Sequence, residues 1–138
     1  MNEFAGKFSH YNKTLFVAAV KIQIEEISPP FIRIDCNGDG WVAQGCIEYA
    51  SLNGYETWKN GAIIGDEYAL RNTSKSLGVT INEIIGMTTD TSPSAVGAAT
   101  IYAVWDAIEY IPTEEEISHI KEVVFSTDYD DLPNFDKR

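Results

Sequence analysis

The sequence predicts an α+β fold, in which an N-terminal antiparallel sheet with a hairpin carries C-terminal helices packed on it. Alternating apolar and polar residues, which indicate strands, occur up to residue 50, whereas helical spacing and helix-capping motifs occur after residue 54. The chain has 138 residues, of which 44% are hydrophobic, so it can bury one full core. No Pro-, Gly- or Ser-rich linker divides it, and we predict a single domain over residues 1–138.

The first element, residues 14–27, fits two patterns that the sequence leaves open. Residues 20 to 25 alternate between apolar and polar side chains, as in a half-buried strand. Phe16, Val20 and Ile24 also recur near helical spacing, so a helix over the whole segment is the alternative. Two consecutive prolines follow and end the element in either case.

A hairpin is predicted next. Phe31–Cys36 and Trp41–Ala50 are both rich in apolar residues, and the four residues Asn37–Gly40 separate them. Asn, Asp and Gly tolerate the positive φ angles that tight connections require. The two segments are therefore expected to pair across this turn.

A helix is predicted in the middle of the chain. Ile63, Tyr68, Leu70 and Leu77 lie in this helix, and it ends at Gly78, a residue suited to a left-handed C-terminal cap.

A short helix is predicted to follow over Ile81–Gly86. Thr80 would cap it, and Glu83 lies three residues further on, which is the spacing of a capping box.

Two further helices have clear start motifs. Ser92 and Pro93 suit the cap and the first position of a helix that continues to Pro112, with an apolar stripe and small residues that admit a close neighbour. Thr113 and Glu116 form a capping box that opens the last helix. The buried face of that helix is predicted to consist of Ile117, Ile120 and Val124.

The negative charge is concentrated near the C-terminus. The net charge is −11, and residues 113–138 hold three basic and eight acidic side chains, or −5. Residues 127–138 have weak periodicity, so we expect an exposed acidic tail there.

This acidic segment contains aromatic residues, a combination that protein-binding surfaces use for affinity and fast encounter. We therefore predict a small acidic protein-binding inhibitor of the immunity type. It would neutralise a basic protein partner such as a nuclease toxin or a nucleic-acid enzyme. The predicted partner-binding residues are Glu114, Glu115, Asp128, Tyr129, Asp130, Asp131 and Phe135.

A second function is a calcium-dependent binding module. Asp35, Asn37, Asp39 and Trp41 lie in a loop that resembles the first eight positions of an EF-hand or dockerin calcium loop. Where that family has a closing acidic ligand, this chain has Cys46, a soft ligand that calcium does not favour. The resemblance covers this loop alone, and a polar turn is the preferred interpretation.

A third possibility is a small-ligand binder or enzyme with a pocket between sheet and helices, near Tyr55, Trp58 or Trp105. The two histidines, His10 and His119, lie far apart, and no nucleophile motif accompanies either. The residues therefore select no catalytic centre, and we predict no cofactor.

The charge and the N-terminus exclude other classes. A pI near 4.4 disfavours binding to nucleic-acid phosphates and to anionic membranes. Residues 1–11 lack the pattern of a secretory signal, and the apolar runs are too short to span a bilayer. Cys36 and Cys46 are expected to be reduced thiols, so we expect a cytoplasmic protein.

Overall fold

The computed structural model describes residues 2–9, 16–42, 46–88 and 90–136. A sheet and α-helices make up most of these ranges. The strands are β1 (Asn2–Ser9), β2 (Phe16–Glu26), β3 (Phe31–Ile34), β4 (Gly40–Val42), β5 (Ile47–Tyr49) and β6 (Leu77–Met87). The helices are α1 (Glu56–Ala69), α2 (Pro93–Ala107) and α3 (Glu114–Ser126), and a short 3-10 turn, Leu70–Asn72, follows α1.

Strand β6 is the centre of the sheet. The strand order is β1-β2-β6-β5-β4, and β3 also pairs with β6. One edge of β6 is occupied by β2, whereas β3 and β5 follow each other along its other edge. All pairs are antiparallel except β3 with β6, which is parallel. The α+β class is confirmed.

The helices pack on one face of the sheet, and glycines allow the close approach. A Cβ atom on Gly6 of β1 would collide with the backbone of α2 at Ala99, and one on Gly86 would collide with the Trp58 ring of α1. The opposite face, called the outer face below, carries the ion pair of the exposed Lys21 with the half-buried Glu83, whose charged atoms lie 3.5 Å apart.

The segment over residues 14–27 is a strand in its described part. In β2 the residues Ala18, Val20 and Ile22 are buried under the helices, while Lys21 between them is exposed. The backbone pairing of β2 with β1 on one side and with β6 on the other decides between the alternatives, because the backbone of a helix bonds within the helix itself. Residues 14 and 15 lie outside the described residues.

The hairpin predicted across Asn37–Gly40 is wrong in its position. Phe31–Ile34 pairs in parallel with β6, and the segment predicted as one strand over Trp41–Ala50 contains two strands, β4 and β5, which pair with each other. Asp35 continues the pairing with β6, because its N–H donates to the Ile81 carbonyl at 2.9 Å. The hairpin is therefore formed by β4 and β5, later in the chain than predicted.

The helix predicted to end at Gly78 ends earlier than expected, at Ala69. Ile63 and Tyr68 are in α1, but Leu70 lies in the 3-10 turn and Leu77 begins β6. Gly78 is not a helix cap. It lies under the Phe31 ring, where a Cβ atom would collide with the aromatic carbons.

The short helix predicted over Ile81–Gly86 is also wrong, because these residues belong to β6. Lys21 of β2 pairs with Glu83 and the next residue pairs with Ile81, so Asn82 is an extra residue that forms a bulge. The bulge places Ile81 and Ile84 on the same buried face three residues apart, a spacing that imitates a helix.

Both predicted helix starts are confirmed. The Ser92 hydroxyl accepts a hydrogen bond from the Ala95 N–H at 3.1 Å, and Pro93 is the first residue of α2. Helix α2 ends at Ala107, before Pro112. It is buried on nearly all sides rather than along one stripe, because it lies between the sheet, α1 and the C-terminal segment.

Helix α3 begins with the predicted capping box of Thr113 and Glu116. Its buried residues are Ile120, Val123 and Val124, whereas Ile117 is half-buried. No helix in the described part of the chain is long and apolar enough to cross a membrane.

Candidate functional site

A groove of about 870 Å³ lies between α3 and the segment that follows it. That segment, residues 127–136, is called the C-terminal strap below. The strap turns back beneath α3 and returns to α1 and α2, so it forms one wall of the groove while α3 forms the other.

The capping box fixes the first turn of α3 at one end of the groove. The Thr113 hydroxyl accepts a hydrogen bond from the Glu116 N–H at 3.1 Å, and the Glu116 carboxylate accepts one from the Thr113 N–H at 2.9 Å. The Tyr110 hydroxyl donates to the same carboxylate at 2.7 Å. These bonds lower the pKa of Glu116, and the bond from the Thr113 backbone N–H has the largest effect. Glu116 is therefore held in place and ionised.

The strap is anchored by apolar contact. Phe135 is 2% exposed, and its ring lies 5.6 Å from that of Tyr68 between centroids. It covers Gly97 of α2, where a Cβ atom would come within 2.9 Å of the ring. Pro133 is also buried.

Polar contacts hold the end of the strap. Arg71 forms a two-point ion pair with Asp136, one of whose contacts is 2.9 Å long. This pairing lowers the pKa of Asp136. The His119 Nε2–H of α3 donates to the Phe135 carbonyl oxygen at 2.5 Å. Because a carbonyl oxygen can only accept, this contact places a proton on Nε2.

Carboxylates dominate the chemistry of the groove. Five acidic residues line it, together with His119 and uncharged side chains. Lys and Arg are absent from its described lining. The acidic residues are Glu115, Glu116, Glu122, Asp128 and Asp131.

The structure brings together some of the predicted partner-binding residues. Glu115, Asp128 and Asp131 line the groove. Glu114 is exposed in the first turn of α3, outside the groove lining. Phe135 faces the core, so it anchors the strap and does not project to solvent.

Tyr129 and Asp130 lie on the strap outside the groove and are exposed. Partial burial raises the pKa of Tyr129, and the carboxylates of Asp130, Asp90 and Glu48 raise it further. These carboxylates come from three parts of the chain, so the acidic surface extends from the groove around this ring.

Sequence reasoning missed Glu116, His119 and Glu122 as groove residues. The spacing of 115, 119, 122 and 126 marks one polar face of α3, and this regularity was the available indication. It does not show that the strap would return along that face, since the strap is positioned by long-range contacts.

The candidate calcium loop is held by one hydrogen bond within the loop and one to Ala50. The Asn37 side-chain amide donates to the Asp35 carboxylate at 3.1 Å, and the Gly38 N–H donates to the Ala50 carbonyl at 2.9 Å. Asp39 is exposed, and Trp41 is 58% exposed on β4. No group of three or more His, Cys, Asp or Glu side chains within the described ranges could hold a metal ion.

The aromatic residues of the predicted pocket belong largely to the core. Trp58 and Trp105 are buried, and the Trp105 Nε1–H donates to Asn72 at 2.9 Å. The hydroxyl of Tyr55 donates to Glu48 at 2.7 Å. His10 lies outside the described residues, and His119 lines the groove.

One carboxyl is buried away from the groove. Asp66 of α1 is fully buried, and neither of its carboxyl oxygens has a hydrogen-bond partner among the residues that the structure describes. Burial raises its pKa to about 7, and Glu67 adds a smaller increase.

Two comparisons with known proteins find no match for the chain. No protein-family model matches the chain. No curated protein matches it either. What the protein does must therefore be inferred from its own residues.

Proposed function

We propose that this chain is a small protein-binding inhibitor of the immunity type, which receives a basic segment of its partner in the groove between α3 and the strap. The partner would be a nuclease toxin or another enzyme with a Lys- and Arg-lined cleft. We place the encounter in the cytoplasm, where Cys36 and Cys46 would stay reduced, as both are free.

The observation that carries this proposal is the charge of the groove. Five carboxylates line it, and its described lining holds no Lys or Arg. Carboxylate oxygens accept charge-assisted hydrogen bonds from Lys and, at two points, from Arg. A groove lined by charges of one sign also concentrates the electrostatic field, so it attracts an oppositely charged partner before the two proteins touch.

The sign of the charge supports inhibition of a nucleic-acid enzyme. A nuclease binds phosphates through basic side chains. The groove offers the same negative charge on a protein surface, and the acidic surface around Tyr129 continues it. Such a protein would occupy the basic cleft and exclude the substrate, with association that weakens as salt screens the charges.

Binding to a short fluorescein-labelled Arg-rich peptide tests the groove. The test variant carries Glu115→Gln, Glu122→Gln, Asp128→Asn and Asp131→Asn. The control variant carries four matched neutral substitutions outside the groove lining. The control substitutions are Glu25→Gln, Glu26→Gln, Asp39→Asn and Glu56→Gln.

Both variants lose four negative charges, so a net-charge effect alone weakens them equally. We expect the groove variant to bind at least about tenfold more weakly than the control at about 50 mM salt, with the difference shrinking at about 300 mM. Equal affinities for the two variants would contradict the groove as the binding site.

Nuclease assays test the inhibitory role. Purified basic ribonucleases and deoxyribonucleases are assayed with increasing amounts of the wild-type protein and of both variants. We expect at least one of these enzymes to be inhibited by the wild type and by the control variant, and not by the groove variant. Activity unchanged in every assay would remove the nuclease-inhibitor proposal and leave the peptide result to stand alone.

A further inference from the structure

Strand β1 forms one end of the sheet. It pairs with β2 on one side, and no strand in the described ranges pairs with its other side. It is eight residues long and contains no proline, unlike the three-residue strand β4 at the opposite end. A long edge strand presents a row of backbone donors and acceptors to any strand that can match it.

We propose that β1 pairs with β1 of a second copy of the chain, antiparallel, about a two-fold axis at Ala5. The two sheets would then form one continuous sheet across the dimer. The interface would lie at the edge of the sheet, so the proposal is independent of the groove and of the function proposed for it.

The regular part of β1 is centred on this axis. Its pairing with β2 is regular from Asn2 to Phe8, and an irregularity follows between Phe8 and Ser9. Ala5 is the midpoint of that seven-residue run. A two-fold axis at Ala5 therefore uses the whole regular run of both copies, whereas any other centre leaves part of it unpaired.

The charges of β1 are complementary about the same axis. Opposed residues in an antiparallel pair lie on the same face, so Glu3 would face Lys7 of the second copy, and Lys7 would face its Glu3. Both residues are exposed on the outer face. Moving the axis by one residue places Glu3 opposite Ala5 or Ser9, and both charge pairs are lost.

Sedimentation equilibrium from micromolar to millimolar protein tests the proposal with charge variants. We expect the wild type to dimerise. Lys7→Glu and Glu3→Lys should each weaken the dimer roughly tenfold or more, because like charges face each other twice across the axis. The double variant Glu3→Lys/Lys7→Glu restores both pairs and should dimerise like the wild type. Circular dichroism checks that each variant is folded.

Each contrary outcome overturns the proposal. A wild type that stays monomeric at the highest concentration excludes the dimer. A dimer that neither single substitution weakens forms through another surface. A double variant that stays as weak as the single variants contradicts the register at Ala5.

Cysteine cross-linking provides an independent measurement. In a Cys46→Ser background, Ala5→Cys places two thiols opposite each other across the axis, at a Cα separation of about 4.5–5.5 Å that a disulfide can bridge. We expect rapid formation of a disulfide-linked dimer on oxidation. Asn60→Cys, at an exposed position of α1, is the control and should cross-link slowly. Equal rates for the two variants would also overturn the proposal.

Discussion

At the residue scale, Asp66 is a carboxyl group whose surroundings do not stabilise a negative charge. It is fully buried in α1, and its carboxyl oxygens have no hydrogen-bond partner in the part of the chain that the structure describes. A buried ionised carboxylate without partners is costly, so the neutral form is favoured. Its folded-state pKa of about 7 is above the ordinary value of 3.8.

This raised pKa predicts a loss of stability as pH rises. Between about pH 4 and pH 7 the unfolded chain releases the Asp66 proton while the folded chain keeps it, so the free energy of unfolding falls and then levels off. The whole effect is on the order of 4 kcal/mol. Asp66→Asn cannot ionise, so we expect it to be more stable than the wild type at pH 8 by about 2–4 kcal/mol and similar to it at pH 4.

Urea unfolding of both proteins at several pH values measures this difference. Glu67→Gln, at the exposed neighbouring position, is the control and should reduce the difference between pH 4 and pH 8 only slightly, because Glu67 is the smaller cause of the raised pKa of Asp66. If Asp66→Asn loses as much stability as the wild type over this range, Asp66 is not the group responsible.

The two cysteines are predicted to react differently. Cys36 is buried, its thiol donates to the Ile81 carbonyl at 3.6 Å, and burial raises its pKa to about 11. Cys46 is exposed. Because the thiolate is the reactive form, we expect a thiol reagent to label Cys46 quickly and Cys36 only on unfolding. Labelling of native Cys46→Ser at the wild-type rate would contradict this prediction.

Single residues could be predicted where the determinant is local. Ser92 and Thr113 cap their helices as predicted, because a cap needs partners within three residues. The burial of Asp66 and Phe135 could not be predicted, since it depends on elements that lie far away in the sequence.

At the element scale, α1 and α2 pack through glycines. A Cβ atom on Gly65 would collide with the Gly97 carbonyl, and one on Gly61 would collide with the Pro93 carbonyl. The contacts advance by four residues on both helices, so the two helices run in the same direction at close range. The small residues of α2 were predicted to admit a close neighbour, and this is confirmed.

Gly65→Ala is therefore predicted to destabilise the protein by about 1–3 kcal/mol, because the helices must separate to accept the methyl group. The gain in helix propensity, about 1 kcal/mol, offsets part of the loss. Chemical denaturation measures the change. Asn60→Ala on the exposed side of α1 is the matched control and should not lower stability. A Gly65→Ala protein as stable as this control would show that the helices are not in such close contact.

The errors at the element scale have physical causes. The bulge at Asn82 gave part of β6 a helical spacing, so a strand was predicted as a helix. The parallel pairing of β3 with β6 has no local indication, because its partner lies more than forty residues away. The sequence placed a sheet in the first half of the chain, but it left β2 open between strand and helix and did not separate β4 from β5. The pairing of β2, β3 and β5 depends on β6, whose residues were predicted to be helical.

At the scale of the whole molecule, the strap joins the fold to the candidate site. It was expected to be an exposed acidic tail, and residues 128–132 are exposed. Pro133 and Phe135 are buried, however, and Asp136 pairs with Arg71. The acidic composition near the C-terminus was readable from the sequence, but the groove was not, because it exists only where the strap returns beside α3.

Phe135→Ala is predicted to release the strap without unfolding the sheet. The contacts with Gly97 and Tyr68 are lost, at a cost of up to about 3–5 kcal/mol. We expect faster amide hydrogen exchange in residues 127–136, unchanged protection in β6, and weaker binding of the Arg-rich peptide. Leu52→Ala, at an exposed position far along the chain, is the control. Unchanged exchange in the strap would show that Phe135 does not hold it.

The central position of β6 has a consequence for synthesis. Strands β2, β3 and β5 all precede it in the chain, yet each of them pairs with it. As the ribosome makes the chain, β3 and the β4–β5 pair have no strand to join until residues 77–87 emerge. The β1–β2 and β4–β5 pairs can form before that point, but they and β3 are joined into one sheet only when β6 is available to pair with β2, β3 and β5.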